Sequence, residues 1–139
     1  MSESKVVYVG RHKLLPAQLK ALEELQLQIA KQIENLPTEP QALQQLIQQL
    51  RAEGIQAVVT VALPPHLLAT LSNAFKVYVF EMKSSTLQSV AEAEKYVAEA
   101  PEKRTYLPGR PGEPIRVLEF QAINEVRVVI ESKRVWPPA

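Results

Sequence analysis

Apolar and polar positions along the chain follow two periods that take turns. Val6, Val7, Tyr8 and Val9 are apolar without a break and predict a short first strand over 5–10. Leu15, Leu19, Leu22 and Leu25 then keep the spacing of a helix with one buried face, opened by Pro16. From 27 to 36 the pattern alternates, with Leu27, Ile29, Lys31 and Ile33 on one side and Gln28, Ala30, Gln32 and Glu34 on the other. That is a half-exposed strand, suited to the edge of a sheet. Thr38-Glu39-Pro40-Gln41 has the form of a capping box, and Leu43, Leu46, Ile47 and Leu50 make the inner stripe of a second helix that Gly54 closes.

The longest apolar run, Ala57 to Leu63, reads as a strand buried on both faces in the middle of a parallel sheet. Pro64 and Pro65 stop it, and Leu67, Leu68 and Leu71 begin a third helix ending near Ser72. Phe75 to Lys83 is a fourth strand, and Ser85 with Gln88 caps a fourth helix that runs to about Glu99 and turns Leu87, Val90, Ala91, Ala93 and Val97 inward. Residues 101–114 hold four prolines and two glycines and read as a long loop. Ile115–Gln121 and Val126–Val135, around a turn at 122–125, predict a closing antiparallel hairpin.

Strands that alternate with helices make a mainly parallel sheet with helices on both faces, a three-layer α/β sandwich, here followed by the hairpin. The first and third strands are the most apolar and belong side by side in the centre, which gives the order 2-1-3-4 with a switch point between strands 1 and 3. The order 3-2-1-4 would bury the amphipathic second strand and ranks lower. At 139 residues the chain has room for one domain, 1–139, comprising a β-α core over 5–100, the loop 101–114 and the hairpin 115–136.

Composition narrows the chemistry. No apolar stretch reaches the length of a membrane span, and the polar start Met1-Ser2-Glu3-Ser4 is no signal peptide, so a cytoplasmic protein is expected. Cysteine is absent, which removes disulfides and thiolate catalysis, and a net charge of +1 gives no reason to expect duplex nucleic acid as a partner. All fifteen acids are glutamates and there are two histidines, so a hard-metal phosphatase or nuclease site is not expected. Neither a Gly-x-Gly-x-x-Gly nor a Gly-x-x-x-x-Gly-Lys-Ser/Thr loop occurs, which argues against dinucleotide and P-loop chemistry.

Three stretches could carry function. Gly10-Arg11-His12-Lys13 follows the first strand and Pro65-His66 follows the third. In the preferred order these share one crevice, two imidazoles and two cations beside the start of the third helix, whose free N–H groups favour an anion. Lys83, Ser84, Ser85 and Thr86 end the next strand and would add a cation, hydroxyls and another helix start; helix capping alone also explains the hydroxyls. Arg104 and Arg110 lie in the long loop, which reads equally as a basic lid over the crevice, with Tyr106 to stack on a base, or as a solvated linker. Taken singly, each histidine reads as a partly exposed loop residue. Trp136 reads as a hydrophobic anchor at a subunit interface.

Val-Tyr-Val-Gly-Arg-His at 7–12, Val-Val-Thr-Val-Ala-Leu-Pro-Pro-His-Leu at 58–67, and Leu-x-Pro-x-Gln-Leu at 14–19 resemble small stand-alone CRISPR-associated proteins with a CARF-like, Rossmann-like fold. The resemblance covers roughly 5–90. Gly10 stands where such proteins have serine, so no serine role is carried to position 10, and Ala62-Leu63 stands for Thr-Leu. The resemblance implies a homodimeric ring nuclease that binds a cyclic oligoadenylate, with cyclic tetra-adenylate the expected ring, and cuts it without metal or cofactor. Arg11, His12 and His66 would be its catalytic candidates, and Gly10, Lys13, Pro65, Lys83 to Thr86, Arg104 and Arg110 its ligand-binding ones. A non-catalytic CARF-like sensor or sponge, or a subunit that binds a protein partner through the hairpin and Trp136, are the alternatives.

Overall fold

A computed structural model describes residues 4–107, 109–129 and 131–137. Met1–Glu3, Pro108 of the long loop, Ile130 of the expected hairpin and the final Pro138-Ala139 lie outside them. The elements are β1 (Ser4–Val9), α1 (Pro16–Glu24), β2 (Leu27–Ile33), α2 (Pro40–Ala52), β3 (Ala57–Thr60), α3 (Pro65–Ser72), β4 (Lys76–Leu87), α4 (Val90–Glu99), β5 (Arg104–Leu107) and β6 (Ile115–Val126). They build one mixed α/β sheet of order β2-β1-β3-β4-β6-β5. The first four strands of that order are parallel, and β6 runs antiparallel to both β4 and β5. No helix among the described residues is long and apolar enough to cross a membrane.

Alternate residues of the central strands feed two apolar clusters, as the period-2 pleat requires. Val7, Val9, Val58 and Val77 pack with Leu43, Ile47 and Leu50 of α2 and Leu71 of α3. Val6, Tyr8, Ala57, Val59 and Phe80 pack with Leu22 of α1 and Leu27 of β2. β1 from Val6 to Val9 and all of β3 serve both clusters and are buried, which is why neither run alternates in sequence. Helix α1 departs from its expected stripe. Leu22 is buried, but Leu19 and Leu25 stay about half exposed (49% and 51%), and Gln18 is buried in their stead. The Gln18 amide can afford this because its oxygen accepts from the Leu15 N–H at 2.7 Å and its Nε2 donates to Met82 Sδ at 3.7 Å.

Several boundaries differ from expectation. The second strand stops at Ile33 rather than reaching 36, and Glu39, not Thr38, caps α2, with no side-chain cap bond and Pro40 as the first helical residue. Ser84, Ser85 and Thr86 are strand residues of β4, so Ser85 caps nothing. Ser89 caps α4 instead: its hydroxyl accepts from Glu92 N–H, and the Glu92 carboxylate accepts from Gln88 N–H. Of the α4 residues expected to face inward, Ala93 is buried while Val90 is about half exposed. The loop expected over 101–114 contains β5. Residues 122–125 do not turn; they continue β6, with Ala122 opposite Glu81 and Glu125 opposite Tyr78. The described residues after Val126 form no strand, and Val135 and Trp136 are exposed. The C-terminal hairpin is therefore β5–β6, not 115–121 with 126–135.

Candidate functional site

β1 and β3 end level with one another, Val9 opposite Thr60. From β1 the chain leaves for α1 and β2 on one side, and from β3 it leaves for α3 and β4 on the other. The diverging connections open a crevice at the carboxyl ends of the two strands, the place where open α/β sheets bind ligands. Its volume is about 350 Å³, and its walls are Tyr8 to His12, Glu34 to Leu36, Thr60 to Leu63, and Leu67.

Hydrogen bonds fix the floor and the first part of the loop after β1. The buried Thr60 hydroxyl donates to the Val9 carbonyl at 2.9 Å. Gly10 N–H donates to the Ile33 carbonyl, and the Gly10 carbonyl accepts from Gln32 Nε2, both at 2.9 Å. The Arg11 guanidinium is exposed and reaches Asn35 Oδ1 from Nη2 at 2.8 Å and from Nε at 3.3 Å. Because that partner is a neutral amide, Arg11 keeps its full charge for an anion. Tyr8 closes the set: its phenol donates to the His12 carbonyl at 2.9 Å, and burial raises its pKa, so it stays a donor.

Of the sequence-predicted site residues, Gly10, Arg11 and His12 line the crevice. Lys13 lies just outside, in a neighbouring hollow of about 410 Å³ that shares Tyr8 and Arg11 with it and is walled by Leu14, Leu19 and Ile29. Pro65 and His66 form the exposed first turn of α3, but this junction contributes Leu63 and Leu67 to the lining. At both histidines the hydrogen bond received goes to the main-chain carbonyl, from Tyr8 and from Thr70, and among the described residues neither imidazole has a protein partner.

The remaining candidates lie elsewhere. Lys83 is four residues beyond Val79, the strand partner of Thr60, hence about 13 Å farther along β4. It sits opposite Glu119, and the Ser84 hydroxyl accepts from Arg116 Nε at 2.9 Å. Lys83 to Thr86 belong to the outer β4–β6 ribbon and are not part of the crevice. Arg104 is committed to structure: it bonds Glu119 at 2.6 Å and Glu99 at 3.3 Å and lies 4.1 Å from the centre of the Tyr96 ring. The hydrogen bond with Glu119 raises the Arg104 pKa, and the same bond is the main cause that lowers that of Glu119. Arg110 lines a separate hollow beside Ser89 and Tyr106. Arg104 to Leu107 thus pair with β6, Gly109 and Arg110 border that hollow, and Arg104 and Arg110 do not line the crevice.

Sequence reading missed Tyr8, Gln32, Asn35 and Thr60. A signal existed for Thr60, the one hydroxyl in an otherwise apolar buried run, since a buried hydroxyl must find a partner. Gln32 and Asn35 offered none, because their partners lie more than twenty residues away. Gly10 also gains a reason. A Cβ there would stand 2.6 Å from Tyr8 Oη, so the serine of the resembling proteins does not fit unless Tyr8 moves. Comparisons with protein-family models, curated proteins and solved structures found no match to this chain.

Proposed function

We propose that the protein is a homodimeric, metal-independent ring nuclease of the cytoplasm, which binds a cyclic oligoadenylate across two copies of the β1/β3 crevice and cleaves it. The reading takes the fold as a Rossmann-like three-layer sandwich, supported by the two apolar clusters that alternate residues of β1 and β3 supply. One observation carries the functional part. At the switch point, Arg11, held by a neutral Asn35, stands in the same wall as His12, whose ring has no protein partner among the described residues.

Cleavage of such a ring requires a ribose 2′-hydroxyl to attack the adjacent phosphorus in line while the 5′-oxygen leaves, giving a 2′,3′-cyclic phosphate. The protein must hold the ribose, balance charge on the phosphoryl oxygens, and accept and return a proton. Arg11, with Lys13 beside it, serves the charge. His12, whose imidazole has one nitrogen to accept a proton and one to donate it, serves the proton transfers. His66, at the first turn of α3, is the second candidate and would meet the ring from outside the wall.

The test is incubation with radiolabelled cyclic tri-, tetra- and hexa-adenylate in EDTA, together with a thermal-shift measurement for each. Consumption of one ring to products with cyclic phosphate ends is expected; no consumption and no binding ends the proposal. Tight binding without consumption would favour the sensor reading. For a catalyst, His12→Ala loses turnover and retains binding.

A further inference from the structure

The hydrogen bonds around the crevice stop one residue short of the group that matters most. Gly10 is held at both its N–H and its carbonyl, Arg11 through its side chain, and Val9 by Thr60. Among the described residues, the Tyr8 hydroxyl makes the one hydrogen bond that holds the main chain of His12. The donor itself is buried and packed. Tyr8 is 2% exposed, and its ring meets Phe80 edge-on at 6.4 Å between centroids. It bends over Gly10 so closely that only a residue without a Cβ fits beneath it.

We propose that Tyr8 is the positioning residue for His12, fixing through the His12 carbonyl where the imidazole stands at the crevice. This rests on the ring-nuclease reading for its catalytic consequence and on the geometry alone for its mechanical one. Tyr8 lines the crevice, but its hydroxyl is turned to the His12 carbonyl. It removes the freedom of a loop whose next two residues, Lys13 and Leu14, carry no main-chain hydrogen bond among the described residues, so the imidazole starts each turnover near its working place. The adjacent glycine is part of the device, since it admits the ring.

Tyr8→Phe isolates the effect. It keeps the ring, the packing on Phe80 and the cover over Gly10, and removes only the donor. Backbone amide relaxation by NMR on the free protein reads the mechanical claim. The order parameter at His12 and Lys13 should fall from about 0.85 toward about 0.6 in the variant, with Val58 and Val77 unchanged. Unchanged order at His12 overturns the proposal. With cyclic oligoadenylate, kcat of the variant should fall about tenfold while KM stays within about twofold, because positioning acts on the chemical step. A kcat equal to wild type also overturns the catalytic role. If the wild type neither binds nor consumes any of the three rings, the proposed function has failed, and the order parameters then decide the positioning role by themselves.

Discussion

Replacing Gly10 by alanine tests the packing around the crevice with a single methyl group. Its Cβ would stand 2.6 Å from Oη, 2.7 Å from Cζ and 2.9 Å from Cε1 of Tyr8, all inside van der Waals contact. The ring cannot yield freely, because Tyr8 is buried among Val6, Leu22, Leu27, Val59 and Phe80. Forcing a methyl into a packed site costs about 1–3 kcal/mol. If the ring swings aside, the bond to the His12 carbonyl is lost, at about 0.5–1.5 kcal/mol. One term opposes these. Gly10 does not have a positive φ, so alanine suits its backbone and gains about 0.4–1 kcal/mol by restricting the unfolded chain. The steric terms win, leaving a net loss of about 1–3 kcal/mol and a fall in Tm of roughly 3–10 °C.

The assay is urea unfolding, read as a lower midpoint at constant slope. The control is the same change in a Tyr8→Leu background, where the obstructing atoms are gone. There Gly10→Ala should be neutral or slightly stabilising, and the difference between backgrounds is the coupling energy. A Gly10→Ala protein as stable as wild type would refute the reasoning, as would an equal loss in both backgrounds.

Thr60→Val keeps the shape of a side chain that is 1% exposed and removes its bond to Val9, so a loss of about 1 kcal/mol is expected in the same unfolding assay. Asn35→Asp would neutralise Arg11 across a 2.8 Å contact. It should weaken cyclic tetra-adenylate by several-fold to about tenfold at low salt in a binding titration, whereas Asn35→Ala should cost less. Glu119→Gln tests the Arg104 network. The pKa of Glu119 is lowered in the folded protein, chiefly by its hydrogen bond with Arg104, so the carboxylate contributes stability above its unfolded pKa of about 4.3 that is lost as pH falls through the folded value. The Tm gap between wild type and variant should be full at neutral pH and close in acid; a gap that persists in acid would contradict the assignment.

The order β2-β1-β3-β4 was legible because burial on one face or on two leaves different sequence patterns, and the crevice followed from that order. The β4–β6 ribbon was not legible. Ser84 to Thr86 look like a helix start because they are polar, yet eleven cross-strand pairs with β6 hold the ribbon from Val77 to Leu87. The same pairing carries β6 straight through Asn124, where composition suggests a turn. Past Val126 the reasoning inverts. Val128, Val129 and Val135 have strand-forming side chains, but β4 begins at Lys76, so among the described residues no strand lies beyond Lys76 for them to pair with. Propensity without a neighbour made no strand. Arg104 misled for a related reason: a cation between prolines looks free until β6 brings Glu119 to within 2.6 Å.

What separates the crevice from an ordinary loop junction is the division of labour between buried and exposed groups. Thr60 and Tyr8 hold main-chain atoms of the loop from buried side chains, and the half-buried Gly10 is held through its own N–H and carbonyl. Arg11, His12 and Lys13 are exposed, and among the described residues none of them forms an ion pair; the Arg11 contact is with a neutral amide. A junction needed only for folding would be stable without such a clamp, and surface cations needed only for solubility would not require a fixed backbone beneath them. The two together make sense when an anion must meet those side chains in one geometry. Ser84 and Arg104 lack that combination, since Ser84 bonds Arg116 across the ribbon and Arg104 bonds Glu119 of β6 and Glu99 of α4, so the functional reading centres on the residues from Tyr8 to Lys13 and those that hold them, with His66 as the outlying candidate.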